Sequence, residues 1–319
     1  MNPISFLYLQ LLKLHRKIKK PKKLPCPVIS VGNIAVGGRG KTPMVITIVK
    51  ILKEKGFHPV VLTRGYRREI KNPVWILPDQ KNQDLSAEKC GDEALEIFLK
   101  SRATVLIGHK RFSNAMAYLT RYPDLLPKVV FVLDDGFQHW EIKRDLNLVL
   151  VTRSDLETEK ILPFGRLREP PSALSRATQV LVLNEDFKKM TAIPKLKSAD
   201  KSVVAITTRA EPTRYLEEIK ESYKKLFFYA LRDHASMNEM LSLLDKIHEG
   251  GLLLLGWKEI VKILTSHDLP LLAGGQESFE LLVGGQVWEV LLVDYELTFL
   301  KPEKLDLLNS NITQILPQI

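Results

Sequence analysis

The stretch PVISVGNIAVGGRGKTP, residues 27–43, decides the fold class of this chain. Residues 27–31 are a mostly apolar run that predicts a short strand, and Pro43 suits the first turn of a helix, where its missing N–H is not needed. The loop between them fits the phosphate-binding pattern G-x-x-x-x-G-K-[ST], except that Ala35 replaces the first glycine. A strand, such a loop and a helix in this order predict a P-loop nucleotide site; a plain glycine-rich turn is the alternative.

The loop contains the groups that hold a nucleotide triphosphate. Gly37, Gly38 and Gly40 allow backbone N–H groups to converge on phosphate oxygens, and the start of the helix adds a partial positive charge. Lys41 can reach the β and γ phosphates, and the Thr42 hydroxyl can bind Mg²⁺. These residues predict a cradle for the triphosphate and its metal ion.

Apolar runs of strand length alternate with helical patterns along the first 200 residues or so. This alternation predicts an α/β fold of the P-loop NTPase type, with a mostly parallel sheet covered by helices on both faces. The alternation restarts after about Asp200, and Gly284-Gly285 separates two strand-like runs in a hairpin pattern. We therefore expect a kinase domain over residues 1–205 and a smaller α/β domain over 206–319, with a hairpin linker near 279–294.

The composition is that of an ordinary globular protein, with 45% hydrophobic and 26% charged residues. Cys26 and Cys90 have neither metal-ligand spacing nor a disulfide framework, which favours a reducing cytosol. The net charge of +10 arises at the N-terminal end, because eleven basic residues precede Glu54, the first acid, and the rest has 36 basic and 37 acidic residues. Charge concentrated in this way does not favour nucleic acid as a partner.

The first 23 residues, MNPISFLYLQLLKLHRKIKKPKK, predict an amphipathic helix. Apolar residues recur at helical spacing at Ile4, Leu7, Leu11, Leu14 and Ile18, and a polybasic stretch follows them. The apolar run is shorter than the roughly 20 residues that span a bilayer, and a signal peptide would place its charges first. We predict a helix of about residues 1–20 lying on an anionic membrane surface. A helix packed on the domain, with a solvated charge run behind it, is the alternative.

Carboxylates stand at two places that suit phosphoryl transfer. Asp134 and Asp135 end a buried apolar run, where a P-loop enzyme needs an acid that helps to hold Mg²⁺. Capping of the next turn is the alternative. Asp92 precedes a predicted helix, where it is either an N-cap or a general base for an attacking hydroxyl. The residues alone leave these two roles of Asp92 equally open.

A loop rich in proline, glycine and arginine, residues 162–170, follows a predicted strand. Its Arg166 and Arg168 are either solvated or a clamp on a phosphate or a transition-state charge. His139 and His234, taken singly, are better explained as hydrogen-bonded structural residues than as catalytic ones.

Taken in order, these motifs resemble the tetraacyldisaccharide 4'-kinase family, the lipid A pathway kinases of the Gram-negative inner membrane. The resemblance covers nearly the whole chain. Its most specific part is the run from Asp134 to His139 followed by Leu167-Arg168-Glu169-Pro170. Its other marks are the P-loop, Thr63-Arg64-Gly65-Tyr66, Gly91-Asp92-Glu93, Arg111, Arg144-Asp145, Pro212-Thr213-Arg214-Tyr215 and Asp233-His234. Ala235 and the segment 256–259 depart from the family pattern.

The resemblance implies a reaction and a set of site residues. The γ-phosphate of ATP, held with Mg²⁺, goes to the 4'-hydroxyl of the distal glucosamine of a tetraacylated disaccharide 1-phosphate, giving lipid IVA. The implied catalytic residues are Asp92 as base, His234 as its assistant, and Lys41. The implied nucleotide site consists of Gly37, Gly38, Arg39, Gly40, Lys41, Thr42, Arg111, Gln138, His139 and Arg168. The implied metal ligands are Thr42, Asp134, Asp135 and Glu169. We expect a monomer at the cytoplasmic face of the inner membrane, with a lipid substrate and no nucleic-acid partner.

Two other functions stay open on the sequence. One is a P-loop kinase for another hydroxyl substrate, which has no need of the N-terminal helix. The other is a nucleotide-switch GTPase that targets membrane proteins. Such proteins recognise guanine through an Asn-Lys-x-Asp segment, and the nearest candidate here, Asn184-Glu185-Asp186-Phe187, lacks the lysine and the final aspartate.

Overall fold

The computed structural model describes residues 2–65, 68, 72–80, 85–194, 202–208, 212–232, 235–247, 251–263, 278–283 and 286–318. In this part of the chain the strands form two sheets. The first has seven strands in the order β3-β4-β2-β5-β1-β6-β7. These are β1 (Val28–Asn33), β2 (His58–Thr63), β3 (Val74–Ile76), β4 (Thr104–Ile107), β5 (Val129–Asp134), β6 (Leu146–Val151) and β7 (Gln179–Val182). All neighbours are parallel except β3 and β4, so the predicted α/β fold with a mostly parallel sheet is confirmed.

Helices cover both faces of this sheet because the central strands are apolar on both sides. Alternate residues of β2 and β5 belong to two different cores: Val61 and Val132 pack with α2 and α4, whereas Val60 and Phe131 pack with α5. The first-sheet helices are α2 (Lys41–Glu54), α3 (Ala87–Cys90), α4 (Asp92–Ser101), α5 (Arg111–Arg121) and the short α6 (Arg153–Glu157). Because these strands are parallel, their carboxyl ends lie along one edge of the sheet, which is where ligands bind in open α/β sheets.

The second sheet has six strands, in the order β10-β9-β11-β13-β12, with β8 paired to β13. They are β8 (Phe187–Ala192), β9 (Val203–Thr207), β10 (Leu226–Ala230), β11 (Leu252–Gly256), β12 (Ser278–Val283) and β13 (Gln286–Phe299). Helices α7 (Pro212–Ile219), α8 (Met237–Lys246) and α9 (Trp257–Ile263) connect or cover these strands. We call this sheet and these helices the second unit. The predicted pairing around Gly284-Gly285 is antiparallel, whereas the two glycines themselves lie outside the described residues.

The long strand β13 pairs along its whole length within the second sheet. Its first part pairs with β11 and β12, and its last six residues pair with β8. The chain then forms α10 (Pro302–Ile315), whose Leu308 and Ile312 are buried in the same core as residues of the first sheet. The sequence predicted a domain boundary near residue 205, but β9 spans that position and β8 also pairs in the second sheet. We propose two domains that divide between β7 and β8, with α10 returning to the first sheet.

Helix α1 (Pro3–Ile18) lies on the outside of the first sheet. Among its described residues only Ser5 is buried, and its hydroxyl donates to the Ile161 carbonyl oxygen at 3.4 Å. The five apolar residues at helical spacing are 55–69% exposed. This apolar stripe therefore faces away from the protein, while Ser5 and Arg16 on the rest of α1 contact it.

Candidate functional site

The glycine-rich loop joins β1, an interior strand of the first sheet, to α2. Gly37 and Gly40 have φ angles of +101° and +78°, which favour glycine, and a Cβ at Gly37 would lie 2.3 Å from Arg166. Around Gly38 there is open space, so the loop is accessible from outside. Ala35 is fully buried, pairs with Leu167 in a β-bridge and has no positive φ angle, so its backbone does not require glycine. The loop thus keeps the glycines that its backbone geometry requires.

Arg39 holds the loop to the rest of the sheet. Its guanidinium donates two hydrogen bonds of 2.7 Å to the two carboxylate oxygens of Asp155, and both side chains are buried. Asp155 also accepts from the Thr152 backbone N–H in a capping box at the start of α6. The side chain of Arg39 is therefore committed to the protein interior, and we propose that Arg39 contributes to a nucleotide site through its backbone.

Removal of Asp155 is expected to destabilise the fold. In Asp155→Ala the Arg39 charge stays buried without its carboxylate, and breaking a buried pair in this way costs about 3–5 kcal/mol. The measurement is the free energy of unfolding by urea. The control is Glu157→Ala, because Glu157 lies on the same helix and pairs with Arg153 at an exposed site. That change is expected to cost no more than about 0.5 kcal/mol, and an equal loss in both variants would contradict the prediction.

The stability that the Arg39–Asp155 pair contributes is expected to depend on pH. Burial raises the pKa of Asp155, but the hydrogen bonds from Arg39 and Thr152 outweigh it and hold the pKa below that of an ordinary aspartate. The stabilisation is therefore present above the ordinary carboxyl pKa and is lost as the pH falls through the lowered value. The difference in unfolding free energy between wild type and Asp155→Ala should shrink below about pH 4.

Asp134 and Asp135 end β5, the strand next to β1. Asp134 is buried and accepts a hydrogen bond from the Thr63 hydroxyl at 2.9 Å. Burial, together with the charge of Asp135, raises the pKa of Asp134. Asp135 has a φ angle of +47° and is partly accessible, 3.6 Å from Lys41 Nζ and 3.1 Å from Arg168 Nη1. Burial raises the pKa of Asp135, but Lys41 and Arg168 outweigh it, so the pKa of this carboxyl is lowered.

A hydrogen-bonded chain continues from Asp135 into the predicted arginine loop. Arg168 donates to Gln138 Oε1 at 3.2 Å, and Gln138 Nε2 donates to Glu169 Oε1 at 3.0 Å. Arg176 donates to the other Glu169 oxygen at 2.6 Å. The loop is thus an ordered part of the site, and Arg168 is a partner of Asp135 rather than a solvated residue.

A cavity of about 140 Å³ opens beside this network, and most of its lining residues carry or can carry positive charge. It is lined by Arg64, His109, Arg111, Asp135, Gln138, His139 and Arg168. Arg111 is buried, and its Nη1 has no hydrogen-bond partner among the described residues. Burial, with the charge of Arg111, lowers the pKa of His139 to about 3, so this imidazole is neutral near pH 7. Cationic groups without a full set of partners suit an anionic ligand.

Two of these lining residues are additions to the predicted site. Arg64 lies in the Thr63-Arg64-Gly65-Tyr66 motif, and that motif was the available signal for it. His109 Nδ1 accepts a hydrogen bond from Arg64 Nε at 3.3 Å, and His109 has no recognisable sequence pattern. Both approach the site because β2 and β4 are neighbours in the sheet.

Asp92 and Glu93 form the first turn of α4. Gly91 is the N-cap of this helix, with a φ angle of +85°, so the alternative of Asp92 as the N-cap is wrong. Glu93 is accessible to solvent, yet surrounding protein and the Asp134 charge raise its pKa to about 7, while Lys41 opposes this shift. The start of α4 therefore lies beside Lys41 and Asp134. Sequence reasoning gave Glu93 no role of its own.

Asp92 forms an ion pair with a residue of the second unit, Lys262, at 3.4 Å. The predicted assistant His234 lies outside the described residues, so its position relative to Asp92 stays a prediction. Within the described part of the chain, no three His, Cys, Asp or Glu side chains form a metal-binding group. Mg²⁺ in nucleotide sites is commonly held by one or two carboxylates together with phosphates, so the Thr42, Asp134 and Asp135 oxygens suit it.

Comparisons with known proteins show which family this chain resembles. A family model described as "Tetraacyldisaccharide-1-P 4'-kinase" matches residues 1–273. The tetraacyldisaccharide 4'-kinases of Aquifex aeolicus and Shewanella halifaxensis are 34% and 31% identical, with alignments covering 75% and 77% of this chain and 76% and 77% of theirs. The Chlorobium chlorochromatii relative is 37% identical over 62% of this chain, and the match spans 55% of that relative.

A solved structure shares the fold over the whole length. The crystal structure of "apo" form LpxK from Aquifex aeolicus in complex with ATP has a TM-score of 0.76 and 25% identity to this chain. The match covers 99% of this chain and 98% of that one. The similarity therefore includes both sheets.

Proposed function

Because this chain belongs to the tetraacyldisaccharide-1-P 4'-kinase family, we propose that it transfers the γ-phosphate of ATP to the 4'-hydroxyl of a tetraacylated glucosamine disaccharide 1-phosphate. The observation that carries this function is the position of the Lys41–Asp135 pair beside a cavity lined by three arginines. One side of this site suits a nucleotide triphosphate, and the other suits an anionic acceptor. The product is the 1,4'-bisphosphate known as lipid IVA.

The nucleotide belongs at the loop of residues 37–42. Open space around Gly38 leaves room for phosphate oxygens next to the backbone N–H groups, and Lys41 stands at the first turn of α2. Thr42, Asp134 and Asp135 would hold Mg²⁺, which neutralises charge on the phosphates. Glu169, also proposed as a ligand, accepts hydrogen bonds from Gln138 and Arg176, which orient it.

The remaining residues position the acceptor and move its proton. Arg111, Arg64 and Arg168 attract the acceptor phosphate or the transferred group, and the neutral His139 can accept or donate a hydrogen bond there. Asp92 takes the proton of the attacking hydroxyl. A carboxylate with an ordinary pKa is a weak base, but phosphoryl transfer depends mostly on positioning and on charge stabilisation. His234 is proposed to assist Asp92 from the second unit.

Transfer of labelled phosphate tests this function. The protein is expected to move ³²P from ATP to tetraacyldisaccharide 1-phosphate in detergent micelles, and digestion of the product should place the label at the 4' position. Label transferred equally well to a soluble sugar would favour the kinase for another hydroxyl substrate. Binding of GTP in strong preference to ATP would favour the nucleotide switch instead.

The structure gives the nucleotide-switch reading little support. The segment Asn184–Phe187, its nearest candidate for guanine recognition, forms the turn between β7 and β8, where the Asn184 N–H donates to the Phe187 carbonyl oxygen at 2.7 Å. Asp186 is buried and pairs with Lys301 at 2.6 Å. The aspartate in this segment is therefore occupied by a structural ion pair.

We further propose that α1 attaches the protein, as a monomer, to the cytoplasmic face of the inner membrane. None of the described helices is long and apolar enough to cross a membrane. The apolar stripe of α1 is exposed, and the polybasic stretch follows it, so the helix can lie in an anionic interface. Another side of α1 contacts the protein, because Arg16 stacks on Trp140 with 5.4 Å between guanidinium carbon and ring centre.

Polar substitution of the stripe is expected to release the protein from membranes. The triple variant Leu7→Gln, Leu11→Gln and Leu14→Gln removes apolar area that would be buried in lipid, and the partition coefficient onto anionic vesicles should fall more than about tenfold. Vesicle sedimentation measures it. The control replaces Met116, Leu126 and Leu307 with glutamine, since these side chains are also exposed but lie elsewhere. Equal binding by both triple variants would contradict the proposed attachment.

A further inference from the structure

One face of α4 carries three polar residues spaced four apart, Asp92, Glu96 and Lys100. Residues at this spacing lie above one another on a helix surface. The face is directed at the second unit, since Asp92 pairs with Lys262 of α9 and Lys100 pairs with Asp294 of β13. The helix that begins with the proposed base therefore also forms the contact with the second unit.

At the end of α4 the contact with the second unit is made by Lys100. Besides its ion pair with Asp294, its ammonium donates to the Tyr295 carbonyl oxygen at 2.8 Å and lies 3.7 Å from the centre of the Tyr295 ring. The indole N–H of Trp257, the first residue of α9, donates to the same Asp294 carboxylate at 2.9 Å. The start of α9 is thus attached to the end of α4.

At the start of α4 the contact with the second unit is made by Lys262, which lies close to the end of α9. Its ammonium lies 3.4 Å from Asp92 Oδ2 and donates to the Ala235 carbonyl oxygen at 3.1 Å. The Lys262 side chain is only 7% exposed, and that of Asp92 is 19% exposed. A lysine charge in such a place is costly unless it is paired, so the contact with Asp92 holds both groups in a narrow range of positions.

We propose that Lys262 is the positioning residue of Asp92, by which the second unit sets the carboxylate of the base in the first. This inference rests on the proposed kinase function and on the role of Asp92 within it. Lys262 acts through Asp92 and needs no contact with the substrate. Its second hydrogen bond, to Ala235, ties it to the segment before α8, which a capping box of Ser236 and Glu239 stabilises. The base is then in place only when the second unit is docked on α4.

Kinetics of the full-length protein test this proposal in the labelled-phosphate assay. In Lys262→Met the Asp92 carboxylate loses its ion pair with Lys262. Misplacement of a catalytic group by about 1 Å costs on the order of 10²-fold in rate. We expect kcat to fall by about that factor, while KM for ATP changes less than about threefold. Lys262→Gln, which keeps a donor for Ala235 without the charge, should behave alike, and Lys262→Arg should recover part of the rate.

A double-mutant cycle separates positioning from a general effect on the fold. In the Asp92→Asn background, Lys262→Met should change the residual rate less than about twofold, because the residue acts through Asp92. The control is Lys246→Met, an exposed lysine of α8 in the same unit, which should leave kcat unchanged.

Three outcomes are decisive. Equal losses from Lys262→Met in the wild-type and Asp92→Asn backgrounds would overturn the proposal, as would a near-normal kcat in both Lys262→Met and Lys262→Gln. If one of these variants does not fold, the other gives the same comparison. If the wild-type protein transfers no phosphate to the disaccharide, the proposed function fails, which is a different result from an active wild type with active Lys262 variants.

Discussion

Asp92→Asn is expected to lower kcat by about 10²–10⁴-fold and to leave ATP affinity nearly unchanged. Loss of a well-placed general base has this cost, because the hydroxyl must then attack without transfer of its proton to the protein. Asparagine has the shape of aspartate and keeps an oxygen that can accept from Lys262, so the effect on the fold should be small. Steady-state kinetics with the disaccharide, together with equilibrium binding of ATP, measure the two quantities separately.

The matched control for this change is Glu88→Gln. Glu88 is an exposed carboxylate on α3, immediately before the turn that begins α4. Its substitution should leave kcat within about twofold of wild type. Asp92→Asn with wild-type turnover would remove Asp92 as the base, and would make Glu93, whose pKa is raised to about 7 by surrounding protein and Asp134, the next carboxylate to test.

Lys41→Ala is expected to damage both turnover and nucleotide binding. Its ammonium lies 3.6 Å from Asp135 at the start of α2, where it can contact phosphate oxygens throughout the reaction. A hydrogen bond to a charged group contributes about 1.5–3 kcal/mol, so the Kd for ATP should rise about 10–100-fold. The loss of a donor to developing charge should lower kcat by about 10²–10³-fold.

Lys50→Ala is the control for this second change, because Lys50 is an exposed lysine of the same helix. Lys50→Ala should change neither kcat nor the Kd for ATP by more than about twofold. Unfolding experiments on Lys41→Ala are needed as well, since the variant also removes a partner of Asp135. A folded Lys41→Ala variant that binds ATP like wild type would show that the loop does not hold the triphosphate through this lysine.

Local sequence patterns predicted most of the first sheet. The buried runs that became β1, β2, β4, β5 and β6 were recognisable because strands covered on both faces are apolar at every position. Several elements were missed, and three of them show the physical reason. Strand β3 has only three residues, β8 has the polar sequence FKKMTA and is stabilised by pairing with β13, and α10 carries no motif. Each of these depends on distant partners rather than on its own pattern.

The site was predictable where its residues stand in motifs. The loop of residues 37–42, Asp134-Asp135 and Arg168 fall together because the ends of β1 and β5 are neighbours in the sheet. The sequence could not indicate that Arg39 turns inward to Asp155, since the two residues are 116 positions apart. It also gave no role to His109 or Lys262, because a lone histidine and a lone helix lysine have no distinguishing pattern.

The sequence by itself determined the phosphate-binding loop, the acids at the end of β5 and the basic, apolar N-terminal helix, because each is a local arrangement of neighbouring residues. Only the tertiary structure decided which way these groups face. Packing of α1 turned its apolar stripe outward, and the order of strands brought Lys41 to Asp135 and Arg64 to Arg111. Docking of α9 on α4 placed Lys262 beside Asp92. Contacts between residues far apart in the chain depend on how whole helices and strands pack, so a local sequence pattern cannot predict them.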